Sequence, residues 1–483
     1  MRPFEILSCL LEIAAMSIML FAPARLRALR IVCFCLVVAI LTQVFYEGPH
    51  WQLDPLYLAG LLLVIYAIAG ARWQRWAFLT LGISCYLLVG LSIVLCWLLP
   101  MFHLPRPTGP FAVGTRLFHM VDATRKEENG PSPSGNRELM VQAWYPAKPA
   151  YFAPKAVYQR RKEVTDRAAY RSVLKTNSYQ DAPIHPGGPY PVLIYNPGWN
   201  GERSEGTYQT EEMASHGFIV VAIDHTFFGG LVEFPDGRVT DSRNAPNIGN
   251  LENSTIEEQW ALGGKYVHIE ADDDTFVLNQ LEAMNKDPNS PLYQQMDLSK
   301  VGVMGFSIGG AASAQFAYQD PRVKAVLNLD GWEFGDMRDH TLNKPMMVIY
   351  EDKHGVLPNQ PKDAADSPER RNYQFSIEDY AHVTNSMKQH GGYLLFIAGT
   401  HHIDFTDRSL FSPIESWTPR GTVAPRRVHS IVNAYALAFF SHELRGTNEP
   451  LLSAAPGNPG MGKTPFNEVE FQHFDGVSQT SNP

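Results

Sequence analysis

Residues 299–320 read Ser299-Lys-Val-Gly-Val-Met-Gly-Phe-Ser-Ile-Gly-Gly-Ala-Ala-Ser-Ala-Gln-Phe-Ala-Tyr-Gln-Asp320. A short buried strand, Val301–Met304, runs through Gly305, Ser307 and Gly309 into a small-residue helix over Gly309–Ala317. The order Gly-x-Ser-x-Gly between a strand and a helix marks a strained elbow that lifts a nucleophilic serine above a sheet. Glycines flank the serine because the two backbones approach too closely for a Cβ. Ser307 is therefore the candidate nucleophile, and the N–H of Ile308, the next residue, is one candidate donor to an oxyanion.

A serine hydroxyl needs a base, and in the order Ser…acid…His the histidine follows the last strand. The apolar run Gly392–Ala398 leads into Gly399-Thr-His-His-Ile-Asp-Phe405, which offers His401 and His402. The base needs a carboxylate to hold its tautomer. Asp330 stands after the strand Val323–Leu329, and Glu351 and Asp352 stand after Pro345–Tyr350. The common arrangement takes the later strand and favours Asp352, and strand logic alone leaves both open. The second oxyanion donor is expected after Tyr190–Tyr195, in Asn196-Pro-Gly-Trp-Asn-Gly201. There Gly198 permits the turn and the Trp199 N–H is the best placed, since Pro197 has none.

Around this constellation the chain alternates strands and helices in the rhythm of a mostly parallel sheet. Thr115–Val121 and Arg137–Tyr145 open it, Phe218–Asp224 follows a helix near Gln209–His216, and helix Ala271–Met284 precedes the elbow. A closing helix is expected over Arg426–Arg445. Tyr151–Gly188 and Thr226–Gly264 read as long excursions, the second with a hairpin turn at Phe234-Pro-Asp-Gly-Arg-Val239. Residues 446–483 are rich in Gly, Pro, Asn and Ser and read as a poorly ordered tail.

The first hundred residues are of another kind. Phe4–Phe21, Ile31–Tyr46, Leu56–Ala71 and Phe78–Leu99 are apolar stretches near the length of a membrane-crossing helix. A cleaved signal peptide fits the first badly, because Glu5 and Glu12 are acidic and no small-residue cleavage site precedes the next span. A soluble helical bundle is disfavoured because the spans are apolar all round. Arg25, Arg27 and Arg30 lie between spans one and two, and Arg72 and Arg75 between three and four. The connection between two and three carries Glu47 and Asp54 and no Lys or Arg. Positive loops stay inside, so both chain ends and everything after Pro100 are expected on the extracytoplasmic side. Glu12, ionisable within a span, is a candidate for a role of its own. Pro100–Gly109 reads as a stiff connector.

Net charge is −9 and no basic patch or nucleic-acid motif appears, so nucleic acid is not an expected partner. All five cysteines, Cys9, Cys33, Cys35, Cys85 and Cys96, lie in the apolar region. The remainder can therefore hold neither a thiol nucleophile nor a thiolate metal site. No His-x-x-x-His spacing supports zinc, and no cofactor or metal is expected.

Several segments together resemble the platelet-activating factor acetylhydrolase family of α/β-hydrolases. They are Gly109-Pro-Phe-Ala-Val-Gly-Thr115, Arg137-Glu-Leu-Met-Val-Gln-Ala-Trp-Tyr-Pro146, Ala214-Ser-His-Gly-Phe-Ile-Val-Val-Ala-Ile-Asp-His225, the Ser307 elbow, Leu329-Asp-Gly-Trp332 and Gly399–Asp407. They occur in the family's order and cover roughly residues 105–445. The resemblance implies that the acid is Asp330, in its Leu-Asp-Gly-Trp segment. It implies that the base is His402, with Phe405 and Asp407 in register, rather than His401. It also matches Trp199 to an oxyanion-loop leucine. Pro197, Asn200 and Phe306 depart from the family's His, Gly and His. The expected fold is an α/β-hydrolase fold over residues 110–445, behind a membrane region at 1–100 and a linker at 101–109. The expected activity is serine carboxylic ester hydrolysis, on lipid-derived or short-acyl esters beside the bilayer. A general or polyester-type esterase acting on soluble esters is the alternative. A membrane receptor or assembly protein with a non-catalytic hydrolase-like domain is the second.

Overall fold

The computed structural model describes all residues except 23, 70–74, 131–134, 244, 246–247, 249–253, 363–366, 454–464 and 478–483. Arg72, used above to orient the spans, lies outside the described residues, as does part of the expected tail. The chain forms two compact units.

The first unit contains helices α1 (Pro3–Phe21), α2 (Leu26–Thr42), α3 (Asp54–Ala69) and α4 (Arg75–Leu98). With their flanking turns they give four helical segments of 19–23 residues, long and apolar enough to cross a membrane. Ala15, Met16, Leu36, Leu56, Leu63 and Cys85 pack inward, whereas Phe21, Ile31, Phe34, Ile68 and Leu87 face outward. An outward face this apolar suits lipid better than water. Glu12 is wholly buried, and neither carboxylate oxygen has a hydrogen-bond partner among the described residues. Gly60 makes room for it, since a Cβ there would lie 2.8 Å from Glu12 Oε1. The unit is larger than the expected 1–100, because it also takes in Val157–Lys175 and Leu410–Thr418. Aromatic and polar contacts explain the addition. Phe102 meets Tyr158 edge-on and stacks on Phe411, and the Trp51 indole N–H donates to the Arg167 carbonyl at 3.0 Å.

The second unit is built on an eleven-stranded sheet. Its strands in chain order are β1 (Ala112–Lys126), β2 (Asn136–Ala147), β3 (Lys155–Val157), β4 (Lys175–Gln180), β5 (Tyr190–Asn196) and β6 (Ile219–Asp224). A small separate hairpin, β7 (Val232–Glu233) and β8 (Val239–Thr240), closes over the Pro-Asp-Gly turn. Then come β9 (Met296–Phe306), β10 (Val323–Leu329), β11 (Met346–Tyr350), β12 (Gly392–Ile397) and β13 (Val469–Phe474). Spatial order is β13-β12-β11-β10-β9-β5-β6-β2-β1-β4-β3. The six strands from β12 to β6 are mutually parallel, and β2 and β13 flank them antiparallel. Every residue of β5 and β6 is buried, as their unbroken apolar runs require of strands covered on both faces. Helices α5 (Thr207–Ser215), α6 (Ile256–Lys286), α7 (Ile308–Gln319), the short α8 (Lys353–Val356), α9 (Pro368–His390) and α10 (Pro425–Arg445) complete the unit. This is the α/β-hydrolase fold expected from the sequence.

Two expectations are corrected. The segment 446–483 is not wholly tail: β13 pairs along the full length of β12, from Gly392–Phe474 to Ile397–Val469. Phe471 is buried against Tyr393 and Tyr435, which explains why this stretch is held. The excursion at Tyr151–Gly188 likewise contributes β3 and β4 to the sheet edge.

Candidate active site

The carboxyl ends of the parallel strands carry the candidate residues, as ligand sites in such sheets do. Ser307 links β9 to α7 with φ +56° and ψ −126°, a conformation that costs an L-residue energy and persists only where its surroundings enforce it. The enforcement is visible. A Cβ on Gly305 would sit 2.1 Å from the Gly309 carbonyl oxygen, and one on Gly309 would sit 2.3 Å from the Asn196 carbonyl oxygen. The Ser307 N–H donates to the Leu329 carbonyl at 2.8 Å, which ties the elbow to β10.

Asp330 follows β10 directly, with φ +57°. The next residue must be small, because a Cβ on Gly331 would lie 2.1 Å from the Ser307 carbonyl oxygen. His402 opens a short turn, His402–Phe405, beyond β12. Its Nε2 lies 2.9 Å from Ser307 Oγ and its Nδ1 lies 2.6 Å from Asp330 Oδ2. Asp330 Oδ1 accepts the Glu351 N–H at 3.0 Å. The histidine ring is half exposed while the Asp330 side chain is nearly buried, so the chain of hydrogen bonds runs from protein interior to cavity mouth. Phe306, where the family carries histidine, packs its ring 4.6 Å from the His402 ring.

The other candidates point elsewhere. His401 is more than half exposed, with Nδ1 3.9 Å from Glu351 Oε2, and its N–H donates to Asp404. Asp352 accepts the N–H groups of Gly399 at 2.6 Å and His354 at 2.9 Å, bracing the loop ahead of the histidines and capping α8. Of the two acids left open by strand logic, the structure thus joins Asp330, and not Asp352, to histidine.

In the loop after β5, the Gly198 carbonyl accepts the Gly201 N–H at 2.8 Å and the Asn200 N–H donates to Phe228 at 3.1 Å. Asn200 has φ +59°, a conformation asparagine tolerates well, so its replacement of glycine leaves the turn intact. The Trp199 and Ile308 N–H groups are not engaged by any described residue. The Trp199 ring stacks on Phe228 and meets Tyr266 edge-on.

Beside these groups opens a cavity of about 370 Å³. Trp199, Trp332 and Phe334 form an apolar wall, and Glu351, Asn372 and Ser376 a polar one. The last two come from α9, an element that sequence reasoning missed. Desolvation disfavours the His402 imidazolium, but the hydrogen bond and charge of Asp330, helped by Glu351, outweigh it and hold His402 above the ordinary histidine range. Burial, then the charge of Asp330, pushes the Glu351 carboxyl up to about 7. No cluster of His, Cys, Asp or Glu suited to a metal ion occurs among the described residues.

Comparisons with known proteins agree with this architecture. Residues 100–228 match the profile of platelet-activating factor acetylhydrolase, isoform II, and residues 269–369 match that of PET hydrolase-like proteins. A probable 1-alkyl-2-acetylglycerophosphocholine esterase of Arthroderma benhamiae is 25% identical over 262 residues, 49% of this chain and 60% of that one. A platelet-activating factor acetylhydrolase of Cavia porcellus is 26% identical over 53% of this chain and 58% of its own. The matches thus span somewhat under two thirds of these relatives. The structure of a ferulic acid esterase from Streptomyces cinnamoneus superposes with a TM-score of 0.61 at 28% identity, over 76% of this chain and 98% of that one. The resemblance to the platelet-activating factor acetylhydrolase family read from the six segments is borne out.

Proposed function

We propose that this chain, a relative of the platelet-activating factor acetylhydrolases among the α/β-hydrolases, is a serine carboxylic ester hydrolase anchored in a membrane. The observation that carries the reading is the hydrogen-bonded series Ser307–His402–Asp330 at the mouth of a cavity flanked by two unengaged N–H groups. In this reading Ser307 Oγ attacks the acyl carbon while His402 Nε2 takes the hydroxyl proton. Asp330 keeps the other imidazole proton on Nδ1 and stabilises the imidazolium. The Trp199 and Ile308 N–H groups receive the oxyanion. The ester C–O bond then breaks, and the alcohol leaves with the proton from His402. A water, deprotonated by the same nitrogen, attacks the acyl carbon; the bond from that carbon to Ser307 Oγ breaks, the acid leaves, and His402 returns the proton to Oγ. Every proton is accounted for by His402, so the sequence needs no further group.

The four apolar helices support anchoring, and the arginine-bearing loops support an extracytoplasmic catalytic unit. A reporter active only outside the cytoplasm should be active when fused after Asn482 and silent near Arg27. The opposite pattern would put the catalytic unit in the cytoplasm.

For substrate we favour lipid-derived or short-acyl esters, which suit a bilayer-bound enzyme and the acetylhydrolase relatives. A second reading, an esterase for soluble or polymeric aromatic esters, draws on the PET hydrolase-like match and the Trp199, Trp332 and Phe334 wall. Profiling the full chain against short-acyl phospholipids and against ferulate and terephthalate esters separates them. The first reading expects the higher kcat/KM on the phospholipids, and the reverse order would replace it with the second.

A further inference from the structure

Glu205 is a buried acid that the proposed reaction does not use. It lies just past the Asn196–Gly201 loop, 1% exposed. Its Oε1 accepts the Gly198 N–H at 2.5 Å. Its Oε2 has no hydrogen-bond partner among the described residues, and neither has the hydroxyl of Tyr195, to which it is electrostatically coupled. The carboxyl fills the underside of the loop so closely that a Cβ on Gly201 would lie 2.4 Å from both of its oxygens. Its own carbonyl accepts the Asp407 N–H at 2.7 Å, and the Asp407 carboxylate accepts the Thr207 N–H at 2.9 Å. Glu205 therefore connects the oxyanion loop to the segment that carries His402.

The geometry fixes what this contact controls. The Gly198 carbonyl and the Trp199 N–H belong to one planar peptide unit, so they turn together. That unit is held at its carbonyl by Gly201 and, one residue earlier, at the Gly198 N–H by Glu205. Releasing the Gly198 N–H would leave the peptide that aims the Trp199 donor held on one side only, by Gly201. The groups facing the carboxyl are Glu202 on its own segment, Tyr195 on β5, and His402 and Arg408 across the loop. None of the cations forms an ion pair with it among the described residues.

We propose that Glu205 is a positioning residue for the oxyanion loop, and that it serves the reaction as a neutral carboxyl. Ionised, it would place a negative charge beneath the donors that must accept a second one, and would compete for the dipole of the same loop. The inference rests on the oxyanion role given above to Trp199. Burial foremost, opposed by Arg408 and assisted by Glu202, pushes Glu205 up to about 8. The carboxyl is then neutral at pH 7 and gains its charge as pH rises through that value, so kcat should fall over the same interval.

The test uses the full chain in detergent on p-nitrophenyl butyrate from pH 6 to 9.5, with spontaneous hydrolysis subtracted. Gln at this position keeps an oxygen for Gly198 and cannot ionise. Glu205→Gln should retain kcat within a few-fold at pH 7 and lose the alkaline decline seen in the unsubstituted protein. Glu205→Ala should lower kcat by roughly 10- to 100-fold with KM little changed, since a misaimed donor affects the transition state more than the bound ester. Thermal melts of both variants report folding. Superimposable alkaline limbs for the unsubstituted protein and Glu205→Gln, or undiminished kcat in a folded Glu205→Ala, would overturn the inference while leaving the hydrolase reading in place. An unsubstituted protein inert at every pH would overturn both.

Discussion

Replacing Asp330 by asparagine changes a single atom and should nearly stop the reaction. Asp330 accepts on both sides, from the Glu351 N–H at Oδ1 and from His402 Nδ1 at Oδ2. An asparagine can accept on one side only. The backbone N–H of Glu351 is a fixed donor, so the amide oxygen must face it and the amide NH2 must face His402 Nδ1. That nitrogen then becomes the acceptor and the imidazole proton moves to Nε2, the atom 2.9 Å from Ser307 Oγ. A protonated Nε2 cannot take the serine proton, and the imidazolium also loses its counter-charge. The expected loss in kcat is about 10³- to 10⁴-fold, or roughly 4–5.5 kcal/mol of transition-state stabilisation. Asp352→Asn, by contrast, alters only the brace to Gly399 and the cap on α8. Its effect should be about 1 kcal/mol or less on stability, with kcat changed only modestly. Single-turnover acylation with a p-nitrophenyl ester, read at 405 nm, measures the step directly. Near-normal acylation in Asp330→Asn together with collapse in Asp352→Asn would refute the reasoning and move the acid to the later strand.

The acid limb of kcat/KM should lie above the usual histidine midpoint of 6.5, because Asp330 and Glu351 favour the His402 imidazolium, which cannot act as base. Activity is thus lost as pH falls through a raised value. Glu351, itself raised to about 7, is partly ionised over this limb, so Glu351→Gln should shift the limb slightly to lower pH in a kcat/KM titration, and a raised midpoint would argue against the coupling. His402→Ala should be nearly inactive, whereas His401→Ala should lose no more than a modest factor, its ring lying outside the hydrogen-bonded series. Initial rates on one chromogenic ester distinguish the two. Combining Ser307→Ala with His402→Ala should be no worse than either change alone, since the groups act as a unit.

What the sequence made legible follows from how local each signal is. The elbow could be read because its constraint lies within five residues, Gly305 to Gly309, and both glycines prove to be packed against backbone. The parallel strands could be read because strands buried on both faces are continuous apolar runs. The acid could not be chosen from strand logic, since Asp330 and Asp352 both end buried strands. Only the resemblance, and then the 2.6 Å contact to His402, separates them. Helix α9 was missed because it is largely polar, with Phe375, Val383 and Met387 as its sparse buried contacts. Its start did carry a signal, Ser367 as a cap followed by Pro368 in the first turn. The early part of α6 was likewise announced by the capping box of Thr255 and Glu258. Strand β13 sits at the sheet edge behind a Gly- and Pro-rich stretch, where composition argues against order. Glu351 could be read only as one more carboxylate at a strand end, and Glu205 had no sequence signal at all: what distinguishes it is burial beside groups distant in the chain.

The central claim is that Ser307 is the nucleophile of an ester hydrolase, and a fluorescent alkyl phosphonate ester tests it most directly. The probe forms a stable Oγ–phosphorus bond only with an activated serine. Incubated with the full chain in detergent and read by in-gel fluorescence and intact mass, it should add one phosphonyl group per chain. Ser307→Ala should abolish the adduct, and Asp330→Asn should slow its formation in parallel with acylation. Undiminished labelling of Ser307→Ala, or an unsubstituted protein that never labels, would contradict the account.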